Sequence, residues 1–75
     1  MTLEEFVEKV QDEFQETPAE KITAETNYHE LEEWGSLASL ALISMIEEEY
    51  DKLITGADIR AHKTVKDLYE FVESL

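Results

Sequence analysis

The sequence predicts an all-α protein: three main helices and one short helix around a single core, with a long first loop. Apolar residues recur at helical period near both ends of the chain. Between them, Trp34 to Ile46 form thirteen consecutive uncharged positions, in a chain where charged residues make up 33%. Two of the apolar stripes are preceded by a threonine with an acid three residues on, a pattern that starts helices.

The first helix is predicted from about Leu3 to Glu16. Leu3, Phe6, Val7, Val10 and Phe14 fall on one stripe. Thr2 and Glu5 fit a capping box, each satisfying an orphan backbone donor. Glu4 and Glu5 also suit the positive end of the helix dipole. Pro18 stops the helix, because the residue before a proline is pushed out of the helical region.

Residues 17–35 show no sustained period. A connection this long is functional or disordered more often than not. Here Ile22, Tyr28, Leu31 and Trp34 recur often enough to pin it across a core, with a single helical turn near Asn27 to Leu31. Its length leaves room for the first and second helices to run roughly parallel rather than as a tight hairpin.

The second helix is predicted from Ser36 to about Tyr50. At 100° per residue, Ser39, Leu42, Ile43, Ile46 and Tyr50 form the core face. Leu37, Leu40, Ala41, Ser44, Glu47 and Glu48 lie opposite, so the outer face is apolar first and acidic later. Ala38, Met45 and Glu49 sit toward the edges. A short helix from Ala57 to about His62 follows, anchored by Ile59. The last helix opens at Thr64, a cap with Asp67 three residues on. Val65, Leu68, Val72 and Leu75 form its buried stripe, flanked by Phe71 or Tyr69.

Seventy-five residues make a single domain, 1–75. A chain this short buries only about 60 to 65% of its unfolded surface. It holds no cysteine, so there is no disulfide framework or thiolate metal site, and a reducing, cytoplasmic setting is the expectation. The first residues carry no basic region and no long apolar run, and no stretch has the roughly 20 apolar residues of a membrane span. Six basic residues against nineteen acidic ones give a net charge of −13. That excludes a nucleic-acid partner, which needs a basic face, and disfavours anionic membranes. It favours a partner with a basic docking surface. Self-repulsion also implies a melting temperature that rises with salt or Mg²⁺.

Ser36 is the leading candidate site residue. Serine is among the best N-cap residues, so a capping role is the plain structural reading. A helix N-terminus is equally a ready anion site, and a serine there can hold a phosphate ester. Gly35 would let another protein's active site approach the backbone closely. As a nucleophile Ser36 would need a base and an orienting group. His29 and His62 lie in no triad motif, and "WGSLAS" is not a Gly-x-Ser-x-Gly elbow. No catalytic residue is expected, and no His/carboxylate spacing points to a structural metal. Glu47, Glu48, Glu49 and Asp51 read as a solvated helix end.

The stretch "WGSLASLALISMIEEEY" resembles the serine-bearing second helix of acyl carrier proteins, whose usual motif is Asp-Ser-Leu, an apolar stretch and then Glu-Glu-x-Phe. "DIRAHKTVKDLYEFV" resembles the closing segment of that family, where Thr-Val and Asp-Leu open the last helix. The first helix, the loop with "ITAETNYHEL", the length and the acidity fit as well. The resemblance covers nearly the whole chain. It implies a free-standing, monomeric carrier whose Ser36, between Gly35 and Leu37, bears 4′-phosphopantetheine. An Mg²⁺-dependent phosphopantetheinyl transferase would move that group from coenzyme A. The thiol would then carry acyl groups as thioesters between an acyl-loading ligase or transferase and ketosynthase-type enzymes, in fatty acid or polyketide-like biosynthesis. The family hides acyl chains in the core, which here means Leu42, Met45, Ile46, Ile54, Ile59 and Leu68.

Two departures from the family pattern stand out. Gly35 replaces the usual Asp, which in the family helps engage the transferase. Ala38 and Ala41 stand where early charges are usual, so acid begins only at Glu47. The expected partner surface therefore combines apolar contact at Leu37, Leu40 and Ala41 with ionic contact at Glu47 and Glu48. That pattern favours a specialised carrier over the housekeeping one. The alternative reading is an unmodified helical adaptor acting only through protein–protein contact.

Overall fold

A computed structural model describes residues 1–75. Its helices are α1 (Leu3–Glu13), α2 (Ser36–Tyr50), α3 (Gly56–Ala61) and α4 (Val65–Glu73). Two single 3₁₀ turns, Ala19–Lys21 and Tyr28–Glu30, lie in the first connection. There is no strand, only an isolated bridge between Asn27 and Thr64. The expected all-α architecture is present, and the second 3₁₀ turn falls where a single turn was expected.

α1 starts as its sequence dictates. The Thr2 hydroxyl accepts from the Glu5 N–H at 3.2 Å, and the Glu5 carboxylate accepts from the Thr2 N–H at 2.8 Å. These contacts hold the Glu5 carboxyl below its usual 4.5, the backbone bond to Thr2 first and its side chain second. The helix ends at Glu13 rather than Glu16. The Gln11 amide donates to the Ala19 and Ile22 carbonyls at 3.0 and 2.9 Å. Those bonds draw the chain just beyond Pro18 back against α1. Phe14 leaves the helix and buries its ring in the core.

The long connection is tied down along its length. The Glu33 carboxylate accepts from the Glu16 N–H and, at 2.7 Å, from the Thr17 hydroxyl. The Val65 and Lys66 amides donate to the Thr26 and Ala24 carbonyls at 3.1 and 2.8 Å, joining the loop to the start of α4. Ile22 and Tyr28 are fully buried, while Leu31 and Trp34 pack against the core from a half-buried position.

α1 and α2 are antiparallel, not roughly parallel. Phe6 near the start of α1 meets Tyr50 at the end of α2, and Phe14 past the end of α1 stacks on Trp34 just before α2, each with ring centroids 6.3 Å apart. Lys9 reaches Glu49 at 3.6 Å. The loop supplies enough chain for either direction; the aromatic pairs at the two ends decide between them. α4 also packs against α1. The Tyr69 ring lies 5.5 Å from that of Phe6, and its hydroxyl donates to the Met1 carbonyl at 3.0 Å.

Thirteen side chains form one core, all of them apolar or aromatic, with no buried charged residue. The core face of α2 differs from the expected one. Leu42, Met45 and Ile46 are buried, whereas Ser39, Ile43 and Tyr50 are only half-buried. Met45, placed at an edge by the helical wheel, is a core residue. A helix with few polar residues in its first half has no hydrophilic stripe to set its rotation, so packing sets it instead. Leu75 is 49% exposed because it lies beyond the end of α4, while Val65, Leu68 and Val72 are buried as expected.

α3 and α4 each open on a complete capping box, Thr55 with Asp58 and Thr64 with Asp67. α3 begins at Gly56, one residue before the expected start, because the Thr55 box caps it there. Its C-terminal side is held by Tyr28, whose hydroxyl proton is shared between the Ile59 carbonyl, at 2.7 Å, and the His62 carbonyl.

Candidate functional site

α2 starts unlike the other helices. Its N-cap is Gly35, which has no side chain to accept from the first turn. The first helical bond runs from the Ser39 N–H to the Gly35 carbonyl at 3.0 Å. The amides of Ser36, Leu37 and Ala38 therefore have no intrahelical acceptor. Ser36 occupies the first helical position, not the cap. The capping role expected of it is taken by Gly35, and the exposed Ser36 hydroxyl makes no hydrogen bond within the chain. Gly35 itself is extended (φ 174°, ψ −172°), a conformation open to any residue, and an added Cβ would meet nothing within 4 Å. The glycine is not required by the backbone here; its effect is to leave the approach to Ser36 bare.

From Ser36 an open groove of about 550 Å³ runs between α2 and α3. Ser39, Leu40 and Ile43 of α2 form one wall, Gly56 and Arg60 of α3 the other, and Trp34 closes the end beside Gly35. Arg60 was not singled out by sequence reasoning. Its only sequence signal is that it is the sole arginine.

The expected partner-binding residues share the outer face of α2. Leu37 is 82% and Leu40 59% exposed, Glu47 and Glu48 are exposed further along, and Ala41 is half-buried. Leu42, Met45, Ile46, Ile54, Ile59 and Leu68 are all buried in the one core cluster. None of the six lines a surface depression, so the core is closed around them.

The histidines are engaged elsewhere. His29 Nε2 lies 2.9 Å from the His62 carbonyl, and His62 Nδ1 lies 2.8 Å from the Asp58 carbonyl. The His62 ring stacks on Phe71 at 4.4 Å. Neither histidine lines the Ser36 groove. No group of three or more His, Cys, Asp or Glu residues is arranged to hold a metal ion. No helix is long and apolar enough to cross a membrane.

The site is an exposed serine at the uncapped start of one helix of a small bundle. Among known families, the model of the phosphopantetheine attachment site family matches residues 4–72, and the chain belongs to that family. Members carry a covalently attached 4′-phosphopantetheine and are served by separate enzymes such as transferases. No curated protein matches the chain. The site fits such a group: the hydroxyl is exposed and uncommitted, the neighbouring amides are unpartnered, and the groove beside it has no acidic lining residue.

Proposed function

We propose that this carrier holds acyl intermediates on a 4′-phosphopantetheine arm attached at Ser36, in fatty acid or polyketide-like biosynthesis. The observation that carries the reading is the exposed Ser36 hydroxyl at the uncapped start of α2. Once attached, the arm supplies a terminal thiol for thioester formation. In attachment the Ser36 oxygen would displace adenosine 3′,5′-bisphosphate from the pyrophosphate of coenzyme A, on a phosphopantetheinyl transferase that holds the Mg²⁺ and takes the hydroxyl proton; the chain contributes the nucleophilic oxygen and no base. Gly35 and Leu37 flank the attachment point, and the bare Gly35 backbone lets the transferase come close.

Leu37 and Leu40 form the apolar part of the docking face, with Ala41 between them and the core. Glu47 and Glu48 supply the ionic part, suited to acyl-loading and ketosynthase-type enzymes with basic docking surfaces. An acyl chain would lie among Leu42, Met45, Ile46, Ile54, Ile59 and Leu68. Because that region is packed shut, admitting a chain requires α3 to move away from α2, which is easier for a short helix than for a long one.

Incubation with coenzyme A, Mg²⁺ and a phosphopantetheinyl transferase should raise the intact mass by one phosphopantetheine, and Ser36→Ala should abolish the gain. No gain with any transferase, including one from the same genome, would sink the carrier reading and leave the unmodified adaptor.

A further inference from the structure

The groove at Ser36 differs in charge from every other depression on the surface. The other four are each lined by at least two carboxylates: Glu16 and Glu30 in one, Asp67 and Glu70 in a second, Glu13 and Glu33 in a third, Glu5 and Glu8 in a fourth. With nineteen acidic residues in 75, a lining without one is the exception. The Ser36 groove has none, and it holds a single cation, Arg60. Lys9 pairs with Glu49, and Lys52 donates to the Leu75 carbonyl at 2.7 Å. Lys21 and Lys63 line depressions that also carry carboxylates. Arg60 forms no ion pair. Its Nη1 lies 3.4 Å from where a Cβ on Gly56 would stand, so the guanidinium folds back along α3 toward the start of that helix.

We infer that Arg60 is the positioning residue of the arm: its guanidinium pairs with the phosphodiester formed on Ser36 and draws the arm into the groove between α2 and α3. This rests on Ser36 being the attachment point. The phosphodiester adds a negative charge to a chain already at −13, and the groove is the depression where it meets no like charge. Arginine suits the task because its planar fork can engage two phosphate oxygens at once, which an ammonium group does not. Gly56 lies alongside the guanidinium: a Cβ there would stand in ordinary van der Waals contact with Nη1. The arm then leaves Ser36 along Ser39 and Ile43, toward the contact that must open to admit an acyl chain.

The test compares apo and modified forms of the wild type, Arg60→Gln and Arg60→Lys. Intact mass reports loading, ³¹P NMR the phosphodiester, and ¹⁵N NMR the Arg60 Nε–H. In the wild type, loading should shift the Nε–H resonance, and the ³¹P line it introduces should be broader than that of a freely moving phosphodiester. Arg60→Gln should return the ³¹P line to that of a freely moving phosphodiester, with Arg60→Lys between. Normal loading with an unchanged Nε–H resonance, or a ³¹P line indifferent to Arg60→Gln, would overturn the role of Arg60 and leave the carrier reading standing. An equal loss of melting temperature in apo and modified Arg60→Gln, without a ³¹P change, would mark Arg60 as structural and overturn it too. An effect seen only after loading a dicarboxylic acyl group, and not with the bare arm, would transfer the role to a cargo carboxylate and overturn the phosphodiester pairing. No mass gain in the wild type would remove both readings together.

Discussion

α1, α3 and α4 open on reciprocal Thr-x-x-acid capping boxes, whereas α2 opens on a glycine with no side-chain cap. The capped helices spend their first-turn donors on their own stability. α2 leaves those donors and a serine hydroxyl open to solvent. The contrast separates scaffold from site within one small bundle. The three boxed helices hold the frame, and the fourth can present its start to other molecules because its stability comes from Leu42, Met45 and Ile46 in the core instead of from its end.

The contrast can be broken at several points. The largest effect is expected at the C-terminal end of α3, where the Tyr28 hydroxyl holds the Ile59 carbonyl. Tyr28→Phe removes the only side-chain donor to the Ile59 carbonyl and should cost about 1 to 3 kcal/mol in urea unfolding. The same phenol gives a pH signature. Burial first, and Asp67 second, raise its pKa above the ordinary 10. A raised folded-state pKa contributes stability that is complete below pH 10 and is lost as pH rises beyond it, so the wild type should unfold in alkali and the Tyr28→Phe variant should lose less there.

Thr64→Ala removes a box acceptor and should cost about 1 kcal/mol by the same measurement. The α1 box titrates at the other extreme. Its Glu5 carboxyl is depressed below 4.5, so its contribution is present above that pH and fades as pH falls through the lower folded value. The stability difference between wild type and Glu5→Gln should close in that acid window.

Smaller effects are expected at α2. Gly35→Asp introduces the missing cap without steric conflict and should stabilise by only a few tenths of a kcal/mol, since glycine is itself a tolerable N-cap. Ser36→Ala should leave unfolding unchanged within about 0.5 kcal/mol, because the hydroxyl bonds nothing, while abolishing modification. A loss near 1 kcal/mol would mean that Ser36 is a cap after all.

Local signals made much of this legible in the sequence. The bounds of α2 and the boxes at Thr2 and Thr64 depend on residues a few positions apart, and the structure has them where the sequence puts them. The six residues around Leu42 and Ile59 that the family resemblance places in the core are buried, which does not itself make them an acyl site. What could not be read depends on distant partners. The antiparallel packing of α1 and α2 is set by Phe6 against Tyr50 and Phe14 against Trp34, pairs far apart in the chain. The early end of α1 comes from Gln11 reaching over to Ile22. The helical wheel put Ser39 in the core and Met45 at an edge, because a helix with so little polarity early on carries no marker of its own rotation; the family resemblance alone pointed to Met45. Arg60 became a site residue only when α3 was laid beside Ser36.

The bare start of α2 also has a kinetic meaning. The amides of Ser36, Leu37 and Ala38 should exchange with deuterium at nearly the rate of an unstructured peptide, however stable the bundle is, since no opening event has to precede exchange. Any group that settles against them will slow that exchange directly. The chain thus carries its own three-proton gauge of whether the arm is resting on the protein or swinging free.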